Sequence, residues 1–396
     1  MIPVLDHHPE GDRNPYEAVV WSRRPYTPTD SDQVRVGVKA APGVEHISVE
    51  FDRDHDPVSL VRVDGSEEWV ATVGPFTRSC RYRFVSSYGD TTDWFELPVV
   101  VSVVGQVRSL VVAGGQVLAV ADNGAAIRLA QTMSGGLDWS VEPYDGSEHA
   151  GGSSSEDLGS WNFTVEDGVL TLRSQQVSLV IEWISLGSVG TDLREISVGW
   201  RLEDREALFG GGERFDRVDQ RGLTPDVRVY EQYKQQGGRT YFPLPWLLSS
   251  RGYGLHVLSD ERVRFDLGAS KSDQAVMSVP AADSVAGRLY TGSPAEVISE
   301  YVHDVGRPTP LPLWAYGPWM SGNEWDRESR VREVVERTLA EDIPATALVI
   351  EAWSDETTFY LFNDTTYEEV PGSDPVPVES MRHAGRWPDP KGLVDW

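Results

Sequence analysis

Polar and apolar residues alternate with period two along Gln33–Lys39, His46–Phe51 and Arg81–Val85, the pattern of strands with one buried face. Ala41-Pro42-Gly43, Asp64-Gly65 and Tyr88-Gly89-Asp90 punctuate them as turns. Strands at roughly ten-residue intervals with no helical period predict a small, immunoglobulin-like antiparallel β-sandwich over residues 1–100. A second strand-rich region covers 101–307, with β patterns at Gln116–Val120, Gly168–Leu172, Val177–Trp183 and Ser197–Leu202. It is longer than the ~100 residues of an immunoglobulin-type domain and suits one large β-sandwich. The Gly/Ser-rich stretch His149–Ser155 predicts a loose surface loop.

The texture changes at Pro308-Thr-Pro310-Leu-Pro312, a cluster that belongs in neither a helix interior nor a central strand. Leu313–Trp319 then predicts a buried strand. Asp326 is placed to cap a helix in which Val331, Val334, Val335 and Leu339 recur at helical spacing. Ile343-Pro344 ends it, and Ala347–Ile350 is a continuous apolar run, as expected of a strand covered on both faces. Strand, helix, strand is a βαβ unit, so 308–396 predicts the opening of a parallel α/β domain.

Charge narrows the partners. The chain has 396 residues with 35 Lys+Arg against 62 Asp+Glu, a formal net charge of −27. That balance disfavours nucleic acid and anionic lipid. One cysteine, Cys80, excludes an intrachain disulfide and a multi-thiolate metal site, and the eight histidines show no ligand spacing, so neither metal nor cofactor is expected. Met1–Asn14 lacks the basic flank and apolar core of a secretory signal. Leu97–Val112 is too short and too polar to span a bilayer. The expectation is a soluble cytoplasmic protein, with homo-oligomerisation left open.

Several catalytic signatures are absent: G-x-S-x-G, G-x-x-x-x-G-K, H-E-x-x-H and paired C-x-x-C. Gly210-Gly211-Gly212 reads as a tight turn between strands, because Glu213 would repel a phosphate. Five segments carry more weight in their order: Phe209–Gly222, Tyr241–Trp246, Gly252–His256, the pair of apolar runs Leu311–Trp319 and Ala347–Trp353, and Arg386-Trp-Pro-Asp-Pro-Lys-Gly392. Together they resemble glycoside hydrolase family 31, the α-glucosidase and α-xylosidase family. The resemblance implies a galactose-mutarotase-like β-sandwich over 101–307, followed by the first βα units of a (β/α)8 barrel, and an oligosaccharide or α-glycoside substrate.

That family hydrolyses α-glycosides with retention, which needs two carboxyl groups about 5 to 5.5 Å apart. The resemblance places both on later barrel strands. Pro308–Trp396 is much shorter than the ~250 residues of a barrel, so the nucleophile and acid/base are expected beyond Trp396 and none is assigned here. What the resemblance carries over is a sugar-binding rim at the C-terminal ends of the strands. Glu351 stands where the family has an Asp that grips sugar hydroxyls, with Asp355 as the alternative. Trp353 and Trp319, the latter expected to end the first strand, are candidates for stacking on a sugar face or for barrel-core packing. Asn323 and Trp325 belong to the first βα loop and are rim candidates. Tyr230–Gln236 resembles the loop this family extends over the barrel mouth. Arg214, Asp219 and Arg221 predict a structural ion-pair cluster. Trp21, Trp69 and Trp94 in the first sandwich read mainly as core or interface residues, with glycan binding as the alternative. A non-catalytic carbohydrate-binding protein and an interaction scaffold are the competing functions.

Overall fold

The computed structural model describes residues 4–11, 19–53, 55–144, 146, 152–230, 236–281, 283–354, 360–368, 371–372 and 377–396. Most of the ordered backbone is β-sheet. The chain divides into two units, Met1–Gly306 and Arg307–Trp396.

The first unit begins with two antiparallel sheets that share a core. One runs Leu5–Asp6, Val34–Ala40, Glu68–Val73, Val61–Arg62, with Arg23–Arg24 also on Val34–Ala40; the other runs Val58–Ser59, Ile47–Phe51, Cys80–Ser86, Phe95–Leu97. The period-two pattern does what its spacing demands: Val34, Val36 and Val38 from one sheet meet Ile47, Val49, Tyr82 and Phe84 from the other. Gly43, Gly65 and Gly89 sit at φ 95°, 72° and 86°, conformations in which a side chain is strained.

The chain enters the larger sandwich without a linker. Val100 is buried and its backbone bonds Pro28 and Asp30; the next residue starts the strand Val101–Gly105, which pairs antiparallel with Ile184–Ser188 of the long strand Ser178–Val189. A nine-stranded and an eight-stranded sheet enclose one apolar core. Trp161, Phe163 and Phe265 are almost fully buried in it, and the Trp161 indole donates to the Gly135 carbonyl at 2.8 Å. Two departures from expectation lie here. Gly152–Ser155 is not loose: Ser153 bridges Leu110 through two 2.8 Å backbone bonds, and Ser155 begins the strand Ser155–Leu158. His149–Gly151 lie outside the described residues. The sandwich also ends in a helix that the strand reading passed over, α1 (Pro294–Val305). Ser293 caps it and Glu296 bonds back to the Ser293 amide, a complete capping box with Pro294 in the first turn.

In the second unit the strands Trp319–Ser321 and Ala347–Val349 pair in parallel, in register Trp319↔Ala347 to Ser321↔Val349. Helix α2 (Glu328–Ala340) connects them, so a βαβ unit is present. Its details correct the sequence reading. Leu313–Tyr316 is a 3-10 turn, and the strand starts only at Trp319. Pro312 fixes the backbone at the start of this turn and Gly317-Pro318 closes it, so no ladder can form between them. Asp326 does not cap α2. Its carboxylate is held by the Arg327 guanidinium at 2.9 Å, and the Glu328 amide donates instead to the Arg386 carbonyl at 2.9 Å. Val331 and Thr338 form the buried stripe, whereas Leu339 is 73% exposed. Ala347–Val349 is half-buried rather than covered on both faces. The core of this unit is small: Val331, Trp387 and Leu393, with Trp325, Leu348, Ile350, Trp353 and Phe362 against them. Helix α3 (Pro390–Asp395) starts on the Asp389 carboxylate, which accepts from the Gly392 amide at 3.0 Å.

Candidate functional site

A parallel βαβ unit gathers loop residues at the C-terminal ends of its strands. At that end Ser321 closes the first strand and Glu351 lies two residues past the second. The Ser321 hydroxyl donates to the Glu351 carboxylate. Glu351 is exposed, and among the described residues Ser321 is its one hydrogen-bond partner. Asn323 is exposed in the loop that follows Ser321. A Cβ on Gly322 would lie 2.8 Å from the Trp325 ring, so this glycine lets the loop run tightly over the indole.

The other predicted residues divide. Trp325 is half-buried against the small core and walls the loop. Trp353 packs on the same core, edge-on to Phe362 at 5.0 Å, so it supports the strand end by packing. Trp319 does not end its strand; it begins it, two residues or about 7 Å from Ser321. Its ring is 54% exposed, 5.9 Å from that of Trp314, and its indole donates to the Ala315 carbonyl. The strand started late because the 3-10 turn took its first residues. Asp355 lies outside the described residues.

One feature of this end escaped the sequence reading. Arg386 grips Asp364 through Nε and Nη2, both at 3.1 Å, and through its amide at 2.9 Å. These bonds hold the Asp364 carboxyl below the usual carboxylate range. A cleft of about 440 Å³ at the start of α2 is lined by Arg327, Glu328, Arg332, Asp364 and Arg386. Glu328 ties it together, accepting from Arg332 at 2.8 Å and from the Asp389 amide at 3.1 Å. The signal was the Arg386–Gly392 motif, whose arginine has a job its spacing alone does not reveal.

In the first unit Gly210, Gly211 and Gly212 are all left-handed, at φ 117°, 79° and 94°. A Cβ on Gly212 would sit 2.1 Å from the Phe242 carbonyl, so the glycine run is a close-packed turn. Arg214, Asp219 and Arg221 hold it, but not as ion pairs. Arg214 donates to the carbonyls of Gly211 at 2.7 Å and Gly238 at 2.9 Å, and Arg221 to those of Glu203, Glu206 and Ser272. Asp219 accepts from the amides of Leu208 and Arg221. Orphan carbonyls of an irregular segment, rather than each other, are what these charges satisfy. Arg239 lies 3.9 Å over the Tyr230 ring, and Gln236 donates to the Tyr230 carbonyl at 2.6 Å; residues 231–235 lie outside the described residues. No group of three or more His, Cys, Asp or Glu among the described residues could hold a metal.

Residues 138–266, from the strand Leu137–Pro143 to Val263–Leu267, match the glycosyl hydrolase 31 N-terminal galactose mutarotase-like domain. Over those residues the chain carries the N-terminal domain of glycoside hydrolase family 31. Three of the motif segments, Phe209–Gly222, Tyr241–Trp246 and Gly252–His256, fall inside the matched residues. Similarity to family 31 relatives extends further. An isomaltosyltransferase of Sporosarcina globispora is 37% identical over 239 residues, 58% of this chain and 22% of that protein. A 1,3-alpha-isomaltosidase of Kribbella flavida is 28% identical over 99% of this chain and 50% of its own length. The fold matches that of the cycloalternan-forming enzyme from Listeria monocytogenes with a TM-score of 0.77 at 24% identity, over 99% of this chain and 41% of that one. The chain thus spans half or less of the length of these family 31 relatives.

Proposed function

We propose that this chain is the substrate-gripping portion of a retaining α-glycosidase that acts on a terminal α-linked glucoside. The Ser321–Glu351 contact at the C-terminal end of the parallel pair carries the reading. A carboxylate oriented by a hydroxyl on the adjacent strand, and otherwise open, is suited to accept hydrogen bonds from two sugar hydroxyls. The named activities of the two sequence relatives, on isomaltosyl units, support the substrate class. In this reading 1–100 is an immunoglobulin-like module, 101–307 the family sandwich and 308–396 the opening of a (β/α)8 barrel. Glu351 grips the sugar, Asn323 and Trp325 line the rim, and Asp355 is a second candidate grip. The carboxylates that break the bond are not among these residues, so the 396-residue chain alone is expected to lack turnover.

Titration of the chain with isomaltose by calorimetry tests the grip. Glu351→Gln should weaken binding by about tenfold, the loss of a charge-assisted bond; unchanged affinity would refute the role of Glu351. Hydrolysis of 4-nitrophenyl α-glucoside by the pure chain, abolished by mutating one of its own carboxylates, would refute the assignment of bond cleavage elsewhere. The transferase relative favours a second reading, in which the acceptor is a sugar hydroxyl rather than water. Longer saccharides among the products of the whole enzyme on isomaltooligosaccharides would select it.

A further inference from the structure

We propose a second saccharide-binding site, on the outer face of the four-stranded sheet in the first sandwich and centred on Trp94. Among the described residues of Met1–Gly306, Trp94 is the one exposed tryptophan, at 37%. Trp139, Trp161, Trp200 and Trp246 pack in the clusters of the larger sandwich, the half-buried Trp183 lies against Gly199, and Trp69 belongs to the small core. Exposure of Trp94 follows from strand parity: Phe95 packs inward opposite Tyr82, which turns Trp94 and Glu96 outward.

The indole is set in a polar frame built across three strands. Arg83 and Arg81 lie over its ring, 4.7 and 5.8 Å from the centroid, so they back the indole, and the 37% of it left exposed is the surface a ligand can reach. Each guanidinium is fixed in turn by a carboxylate of the next strand or its end: Arg83 donates to Glu50 Oε2 at 2.9 and 3.1 Å, and Arg81 to Asp52 Oδ2 at 2.9 Å. The arginine planes are therefore oriented before any ligand arrives, which lowers the ordering cost of binding. Donors and acceptors remain unspent among the described residues: the terminal nitrogens of Arg81, Glu50 Oε1, the Glu96 carboxylate and the Trp94 indole N–H.

A half-exposed aromatic plate beside oriented donors and acceptors of both signs suits a neutral polyhydroxy ligand. Sugar C–H groups stack on indole, and vicinal hydroxyls bridge guanidinium and carboxylate. An anion would meet Glu50, Asp52 and Glu96, and a cation would meet Arg81 and Arg83. The ligand is an α-linked glucan chain, which rests on the substrate class proposed above. Such a surface would hold a polymer while its end is processed elsewhere.

Affinity electrophoresis of the full chain in native gels containing dextran reads this site apart from Glu351. Wild-type chain should be retarded; Trp94→Ala should lose about fivefold of the retardation at an unchanged melting temperature, and Trp94→Tyr should restore part of it. Glu351→Gln should leave most of the retardation in place. Full retardation of Trp94→Ala, or none of the wild-type chain, would overturn the site. Failure of isomaltose to bind the Glu351 site would leave the dextran result intact, so the two proposals fail separately.

Discussion

Glu206 and Glu351 show how differently the two units treat a carboxylate. Glu206 is 2% exposed inside the larger sandwich. It accepts from the Tyr253 hydroxyl at 2.7 Å, from the Ser249 hydroxyl and from the Glu203 amide at 2.9 Å, and the Trp200 indole donates to the same tyrosine oxygen at 3.1 Å. Burial and the neighbouring Glu206 push the Tyr253 hydroxyl well above its ordinary range. Both carboxylate oxygens of Glu206 have partners inside the protein, so the network serves rigidity. Glu351 is exposed and accepts from Ser321. The Glu206 network closes on itself; the strand end at Glu351 leaves polar capacity open, and the second unit also exposes apolar area at Leu313, Trp314 and Trp319. Saturation marks Glu206 as structural, and the exposed, singly bonded Glu351 fits the sugar grip proposed for it.

The sharpest test of that contrast is the core of the first unit. Trp161→Ala should destabilise it by about 4 kcal/mol, through lost burial and the unpaired Gly135 carbonyl. Hydrogen exchange should show lost protection across the larger sandwich. Trp387→Ala should deprotect only residues 307–396; an effect of equal size in both units would erase the distinction drawn here.

Next in size is Glu206→Ala, which orphans two hydroxyls and an amide and should cost about 3 kcal/mol in urea unfolding. A change near zero would mean that water replaces the carboxylate and that the network is not closed.

A third test uses pH. His7 is buried, with Nδ1 2.6 Å from the Gly37 carbonyl and Nε2 2.7 Å from the Tyr82 hydroxyl. Burial lowers its pKa to about 4. The unfolded chain takes up this proton near pH 6.5 while the folded chain resists until about 4. Stability from this group is therefore complete above 6.5 and falls as pH drops through that window, by roughly 3 kcal/mol. His7→Gln should flatten that part of the melting-temperature profile of the first sandwich, and an unaltered slope would assign it to other groups.

The smallest effect is expected at the open end. Ser321→Ala should change stability by under about 0.5 kcal/mol, since the bond is exposed. It should nonetheless weaken isomaltose binding severalfold, because Glu351 loses its orientation. A larger effect on folding than on binding would move Glu351 into the structural class with Glu206.

Legibility followed the same division. Strands of the first unit were readable within a residue or two at Val34–Ala40, Ile47–Phe51 and Cys80–Ser86, because one face is buried and the period-two pattern is strict. Helix α1 hid behind strand-rich neighbours although Ser293-Pro294-Ala295-Glu296 announces a capping box. In the second unit the order of elements was legible and their edges were not. Prolines at 312 and 318 shifted the strand start and with it Trp319, and an arginine next to Asp326 took the carboxylate meant as a cap. Glu351 was placed by resemblance; its partner Ser321 could not be, since a register between parallel strands has no local signal. The charges at 214, 219 and 221 were legible as structural, but their targets are carbonyls, which no side-chain pattern records.

The junction at Val100 has a mechanical meaning. Because Val101–Gly105 lies antiparallel along Ile184–Ser188 over five residue pairs, a pull on the first sandwich along that strand loads the ladder in shear. In shear the bonds share the force and must rupture together, whereas a peeled hairpin opens one rung at a time. If the Trp94 face holds a polymer, drag on that polymer reaches the rest of the protein through a strut rather than a tether.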